Sequence, residues 1–124
     1  MPKWSQEQCV LPLKWMPPES LTRGIFQFES DMWSFGVFLW ELASLGKAPF
    51  VDVNNSNEII RLVLSGERLE KPTRCRLRLY KLMMQCWSSP LKLRPSTDVL
   101  LEEFDDMIQR DQGPFIGNFQ HELH

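Results

Sequence analysis

The stretch from Asp31 to Leu45, "DMWSFGVFLWELASL", limits what this chain can fold into more than any other. Wound as a helix, it sets Trp33, Val37 and Trp40 along one line. Phe35, Phe38, Leu39 and Leu42 cover much of the opposite side, and only Ser34 and Glu41 share a polar direction. A helix apolar on nearly every side is expected to be buried on every side, so this one reads as the hub of a core. Ser30 is the expected N-cap, and Asp31 adds negative charge at the helix start. Gly46 supplies the expected C′ stop with Pro49 after it, while Gly36 permits another backbone to come close. Ser34, Gly36 and Glu41 interrupt the apolar run, which is too short to span a bilayer.

The remaining periodicity is helical as well. After the turn-rich "VDVNNSN", which ends near an asparagine cap, Ile59, Leu62 and Val63 fall at i, i+3, i+4 in a helix closed by Gly66. "ERLEKPTRC" reads as a loop. Leu79, Leu82, Met83, Cys86 and Trp87 then form a clean amphipathic pattern. "SSPLKLRP" breaks it, and Ser96 can cap a last helix with Val99, Leu100, Phe104, Met107 and Ile108 facing inward. Near the start, the three prolines of "LPLKWMPP" remove amide donors and fix φ, which predicts an extended loop. "PESL" opens a short helical turn with Pro18 in its first turn. No segment alternates as a strand does. The fold class is therefore all-α, with four main helices and one short turn-helix.

The length of 124 residues suits one core, and a hydrophobic fraction of 43% with 24% charged residues argues against disorder. A formal net charge of −2 gives no electrostatic case for nucleic acid or for an anionic membrane surface. Cys9, Cys75 and Cys86 are odd in number and share no C-x-x-C spacing, which predicts free thiols in a reducing setting. His121 and His124 lack further ligands, so no metal site is expected.

In chain order, the landmarks are "LPLKWMPPES", "SDMWSFGVFLWEL", a Gly-x-x-Pro-Phe turn, "LYKLMMQCW" and "LRPS". From about Leu11 to Ile108 this run resembles the lower half of a protein tyrosine kinase catalytic domain. Pro17-Pro18-Glu19 stands where the family has Ala-Pro-Glu. Lys14-Trp15-Met16 is similar to tyrosine kinases rather than serine/threonine kinases, and the two longest motifs look most like the receptor-type branch. The fold implied is the C-terminal helical subdomain of a protein-kinase-like fold, a partial domain. Residues 1–10 are a lead-in unlike the family, 11–110 are the partial catalytic domain, and 111–124 are a loose tail.

The resemblance implies roles residue by residue. Leu11, Pro12, Leu13, Lys14 and Trp15 match the loop that seats the substrate peptide, with Pro12 against the acceptor tyrosine and Leu13 lining the next pocket. Glu19 and Arg94 match a buried ion pair joining that loop to the final helices, for which the planar guanidinium fork is suited. Asp31 matches an aspartate that steadies the catalytic loop from below. Phe38 and Leu42 match positions supporting the apolar column beneath the adenine. Trp15 and Trp33 are packing anchors rather than ligand platforms.

Phosphoryl transfer needs a Gly-rich loop, a lysine, metal-binding carboxylates and a catalytic aspartate. The sequence contains no Gly-x-Gly-x-x-Gly, Val-Ala-Ile-Lys, His-Arg-Asp or Asp-Phe-Gly motif. The expectation is a fragment beginning inside the activation segment, with no catalytic residues of its own and no activity alone. ATP and magnesium would belong to the intact parent. Its expected partners are a tyrosine-containing peptide or protein substrate, the remainder of the kinase domain, and a chaperone. Its expected location is the cytoplasmic side of a plasma-membrane receptor, without membrane contact by this chain. A second class of function is a stand-alone, non-catalytic interaction module built from the same helices.

Overall fold

In the computed structural model, the described backbone runs from residue 13 to residue 123 and the described side chains from 13 to 110. Leu11, Pro12 and the 1–10 lead-in lie outside the described residues. The chain divides into two units, Met1–Arg94 and Pro95–His124. Every regular element among the described residues is helical.

The first unit holds α1 (Pro18–Arg23), α2 (Phe28–Ala43), α3 (Ser56–Leu64), α4 (Leu77–Cys86) and a short 3-10 turn, Leu91–Leu93. In α1, Pro18 and Glu19 sit in the first turn, and Gly24 closes the helix at φ 64°. In α3, the Asn55 side chain accepts from the Asn57 and Glu58 amides at 2.8 and 3.3 Å, satisfying two of the four orphan donors at a helix start. The helix α4 packs along α2, and α3 against α1. The core they enclose contains Trp33, Val37 and Trp40 from α2, Ile59 and Val63 from α3, and Leu82, Met83 and Cys86 from α4.

Several local expectations are corrected. Residues 13–16 form a turn, closed by the Met16 amide on the Leu13 carbonyl at 3.1 Å, where an extended loop was expected. The N-cap of α2 is Gln27, and Ser30 is the third helical residue. Ser30 Oγ accepts from the Gln27 amide at 3.2 Å and donates to the Glu19 carboxylate at 2.8 Å, a use that local pattern does not reveal. The last turn of α2 closes with the Gly46 amide on the Glu41 carbonyl and the Leu45 amide on the Leu42 carbonyl. That pairing places Leu45, at φ 61°, in the C′ position expected of Gly46, which follows it. By contrast α3 ends in the same motif with Gly66 at C′ and φ 98°.

The larger correction concerns α2 as a whole. Its Trp33, Val37 and Trp40 line is buried, but Phe38 is 50% exposed and Leu42 is 58% exposed, so the helix is covered on one side only. The covered side depends on Gly36. A methyl group there would meet Cys86 Cβ at 2.7 Å and Trp87 Nε1 at 2.8 Å, closer than real side chains come. Trp87 Nε1 is buried against this point without a hydrogen-bond partner among the described residues. Tight helix contact is thus gained alongside an unmet donor, which costs about 1 to 3 kcal/mol. Burial, partly offset by the charge of Arg94, pushes the Cys86 thiol up to about 12, so it stays protonated and unreactive near neutral pH.

The second unit is α5, Thr97–Leu123, whose backbone continues through the stretch read from sequence as a loose tail after Gln112. Pro114 lies within this stretch; a proline removes only one amide donor, and the backbone here stays helical past it. Ser96 Oγ accepts from the Val99 amide at 3.2 Å. Leu100 is buried, while Val99 and Ile108, expected to face inward, are 42% and 51% exposed. The inward stripe is narrower than expected because those two residues flank it.

Two substitutions test this account by opposite signs. Gly36→Ala should lower the unfolding free energy by about 1 to 3 kcal/mol, since the neighbouring Cβ and indole ring must move. Leu45→Gly should raise it by about 1 kcal/mol, because Leu45 is 87% exposed and leaves a left-handed conformation that costs a branched side chain energy. Urea denaturation of each variant beside the parent chain reads both.

Candidate functional site

Glu19 reaches the interior from the first turn of α1, held there by the fixed backbone of Pro17 and Pro18. Arg94 comes from the far end of the first unit, just after the 3-10 turn. Their side chains meet in parallel, with Nη1 to Oε2 at 2.7 Å and Nη2 to Oε1 at 2.9 Å. The side chains are 0% exposed for Arg94 and 6% for Glu19, so this is an interior fork rather than a surface pair. Arg94 also donates from Nη1 to the Glu29 carbonyl at 2.9 Å and from Nε to the Ser88 carbonyl at 2.8 Å. Ser30 Oγ supplies the remaining donor to Oε2. Burial pushes the Glu19 carboxyl up. Hydrogen bonds from Arg94, its own backbone and Ser30, with the charge of Arg94, outweigh burial and leave it below the ordinary carboxylate value.

Trp33 packs beneath this fork. Arg94 lies 5.1 Å from its ring centroid and Arg68 lies 4.7 Å away, within cation–π range. Arg68 donates from Nε to the Trp87 carbonyl at 3.0 Å and from Nη1 to the Val63 and Glu67 carbonyls. Its Nη2 reaches Ser89 Oγ at 3.2 Å. Burial and the nearby charge of Arg94 hold the Arg68 guanidinium below its ordinary value. Sequence reasoning did not single out Arg68. Nothing near it in the chain predicts that a loop arginine turns inward onto carbonyls, and the only cue is its place between Gly66 and Pro72.

The turn ahead of α1 is pinned to the middle of α2. Trp15 Nε1 donates to Glu41 Oε1 at 2.5 Å, and Ser34 Oγ donates to the Trp15 carbonyl at 2.7 Å. Thus Ser34 and Glu41, the two polar positions of α2 beyond its first turn, are both spent on Trp15. Leu13 and Trp15 are half-buried, and Lys14 is buried. Asp31 is exposed in the first turn of α2, on the flank of the helix away from Trp33. Phe38 and Leu42 stand on the uncovered side of α2, where the Phe35 and Phe38 rings lie 6.4 Å apart. Glu19 and Arg94 are therefore brought together, Leu13 to Trp15 are held on α2, and Phe38 with Leu42 face outward. Among the described residues, no group of three or more His, Cys, Asp or Glu side chains converges.

The family model for protein tyrosine and serine/threonine kinases matches residues 3–104. The chain is 40% identical over 100 residues to "Fibroblast growth factor receptor homolog 2" of Drosophila melanogaster, an alignment covering 81% of this chain and 10% of that protein. It is 43% identical over 97 residues to "Insulin-like growth factor 1 receptor" of Xenopus laevis, covering 78% of this chain and 7% of the relative. Against "Leukocyte tyrosine kinase receptor" of Mus musculus it is 43% identical over 95 residues, covering 77% and 11%. The chain thus spans only a small part of the length of the curated relatives it matches.

The buried fork makes a quantitative expectation. Replacing Arg94 by Met should cost about 3 to 5 kcal/mol, because the Glu19 charge is left buried alone. The double replacement Glu19→Gln with Arg94→Met should cost clearly less than the sum of the singles. Since the folded pKa of Glu19 lies below its ordinary value of about 4.3, its contribution is complete above that pH. It is lost as pH falls through the lower folded value. Urea titrations repeated down the pH scale should show this acid loss in the parent chain and a flatter profile in Glu19→Gln.

Proposed function

Because the chain belongs to the protein tyrosine and serine/threonine kinase family, we propose that it forms the C-terminal helical part of a receptor-type protein tyrosine kinase catalytic domain. The observation that carries this reading is the one-sided cover of α2. Trp33, Val37 and Trp40 are enclosed by this chain's own helices, while Phe38 and Leu42 wait for a neighbour. The receptor branch is supported by the named receptors to which the chain is similar. The parent activity would be ATP-dependent phosphorylation of protein tyrosine on the cytoplasmic side of a membrane receptor.

In that setting the residues of this chain would divide the work in three. The turn carrying Leu13, Lys14 and Trp15, with Leu11 and Pro12 ahead of it, would seat the substrate peptide. Its attachment to Ser34 and Glu41 supports this role, since a positioning loop gains from a rigid backing. Glu19 and Arg94 would hold α1, and with it that loop, to the rest of the helical core. Phe38 and Leu42 would receive the remainder of the kinase domain, and Asp31 would steady its catalytic loop. ATP and magnesium would be bound by that remainder, which also supplies the chemistry of transfer. No helix among the described residues is long and apolar enough to cross a membrane. A chaperone is the natural occupant of the uncovered face when the remainder is missing.

Three measurements test the proposal together. The purified chain, given magnesium, labelled ATP and a poly-Glu-Tyr substrate, should transfer no phosphate above a mock preparation. It should self-associate in light scattering, and Phe38→Ser with Leu42→Ser should shift it toward monomer, because each fully buried side chain of this size is worth about 1.5 to 3 kcal/mol. The transcript upstream of the Met1 codon should encode the Gly-rich, lysine, His-Arg-Asp and Asp-Phe-Gly segments. A clean monomer with a sharp high-temperature transition, or an upstream frame lacking those segments, overturns the reading.

A further inference from the structure

The C-terminal end of α2 and the 70–74 segment enclose an open pocket of about 270 Å³, whose lining includes neither the Leu13–Trp15 turn nor Phe38 and Leu42. Its apolar wall is made by Trp40, Ala43, Leu45 and Pro72, with Leu45 open to solvent. Trp40 Nε1 donates to the Glu70 carbonyl at 2.6 Å and so holds the segment against the helix. The segment closes on itself through the Cys75 amide on the Pro72 carbonyl at 3.0 Å. Both walls are thus fixed by bonds within the chain.

Four formal charges line the pocket: Lys47, Lys71 and Arg74 against Glu70, all exposed. Lys71 bonds to the Pro72 and Cys75 carbonyls, which leaves its positive charge intact and one of its three ammonium donors unspent. The excess is two positive charges. An adjoining groove shares Trp40, Lys47 and Glu70 and adds Asp52, Glu67 and Arg68; with these counted, four cations still face three carboxylates. The local sequence runs the same way. From Lys71 to Thr97 there are seven Lys and Arg residues, one of them the interior Arg94, and no carboxylate, in a chain whose net charge is −2. The helix end answers part of the excess. No basic residue lies in the last turn of α2, whose C-terminus carries about half a negative charge, so about one and a half positive charges remain.

We propose that this pocket binds a phosphorylated side chain of a partner protein, with the phosphate among Lys47, Lys71 and Arg74 and the apolar part of the side chain on Leu45 and Pro72. A phosphate monoester carries about −1.5 to −2 at neutral pH and so matches the excess, while a carboxylate leaves part of it unanswered. The Arg74 guanidinium can meet two phosphate oxygens at once, and the exposed Thr73 hydroxyl adds a neutral donor. At about 270 Å³ the pocket falls below the range of about 300 to 1,000 Å³ usual for free small-molecule ligands, which favours one side chain presented by a protein. The charge count makes no use of the kinase reading, so the two stand or fall separately.

The probe is an unlabelled peptide with blocked ends, Ala-Gly-phosphotyrosine-Gly-Ala, titrated into the full chain and followed by calorimetry. The comparison probes carry tyrosine or glutamate in place of phosphotyrosine. The phosphopeptide should bind about tenfold or more tightly than either, and rising salt should weaken it. Lys47→Ala with Arg74→Ala, both exposed, should leave the helical circular dichroism unchanged and raise Kd by about tenfold or more. Lys81→Ala with Lys92→Ala, exposed cations outside the pocket, should leave Kd as it is. Equal binding of the three probes, no binding of the phosphopeptide, or an equal loss in the two double variants overturns the proposal. Inorganic phosphate binding as tightly as the phosphopeptide would assign the pocket to a free anion, and overturns it as well.

Discussion

The arrangement of the first unit depends on one buried fork, Glu19 with Arg94, which joins residues 75 apart in the chain. An interior ion pair is not in itself a large source of stability, since removing two charges from water costs about as much as their attraction returns. Its value here is directional. Arg94 bonds to Glu19, to the Glu29 carbonyl and to the Ser88 carbonyl, so one planar group fixes α1, the start of α2 and the exit from α4 at once. Apolar contacts cannot do this, because they tolerate sliding and rotation. Ser30 completes the carboxylate, which is why the α2 start is built around Gln27 and Ser30 together rather than around one capping serine.

A second cation works without an anion. Arg68 and Arg94 both face Trp33, and their repulsion is tolerable because Glu19 neutralises one of them while the other is solvated by carbonyl oxygens. Those carbonyls belong to chain segments that have no regular partner. The 67–76 loop has no helix or strand to satisfy its backbone, and side chains do so instead. Tyr80 donates its hydroxyl to the Leu69 carbonyl at 2.6 Å, Trp40 Nε1 donates to the Glu70 carbonyl at 2.6 Å, and Lys71 bonds to Pro72 and Cys75. A buried backbone must be accounted for group by group, and here side chains meet the Leu69, Glu70, Pro72 and Cys75 carbonyls.

The helices were legible because their signals are local. Spacing of Ile59 with Val63 and of Leu82 with Cys86, the Asn55 and Ser96 caps, and Gly66 each act within one turn. The motif order carried the family. What was not legible is whatever a residue does across the fold. Ser30 looks like an N-cap until Glu19 arrives to take its hydroxyl. Leu45 looks too large for a C′ position, and it holds that position because Gly46 comes one residue late for the hydrogen-bonding pattern. Arg68 carries no local mark beyond its place between Gly66 and Pro72. Glu41 and Ser34 were read as a polar flank of α2, and only the folded chain assigns both to Trp15.

The mismatch at α2 has a different origin. Its residues follow the pattern of a helix enclosed on every side, while the structure encloses the Trp33, Val37 and Trp40 side and leaves Phe38 and Leu42 half in water. Pattern and cover disagree within one element, so the apolar residues on the open side are not explained by packing within this unit. Chance is a poor account, since the polar positions that α2 has beyond its first turn, Ser34 and Glu41, are both engaged. On the reading proposed here the pattern describes a surface completed by chain outside these residues. A helix sequence then reports the environment it is built for, and the structure reports how much of that environment this chain itself provides. On that reading, the difference between the two would place the neighbour on the Phe38 and Leu42 face.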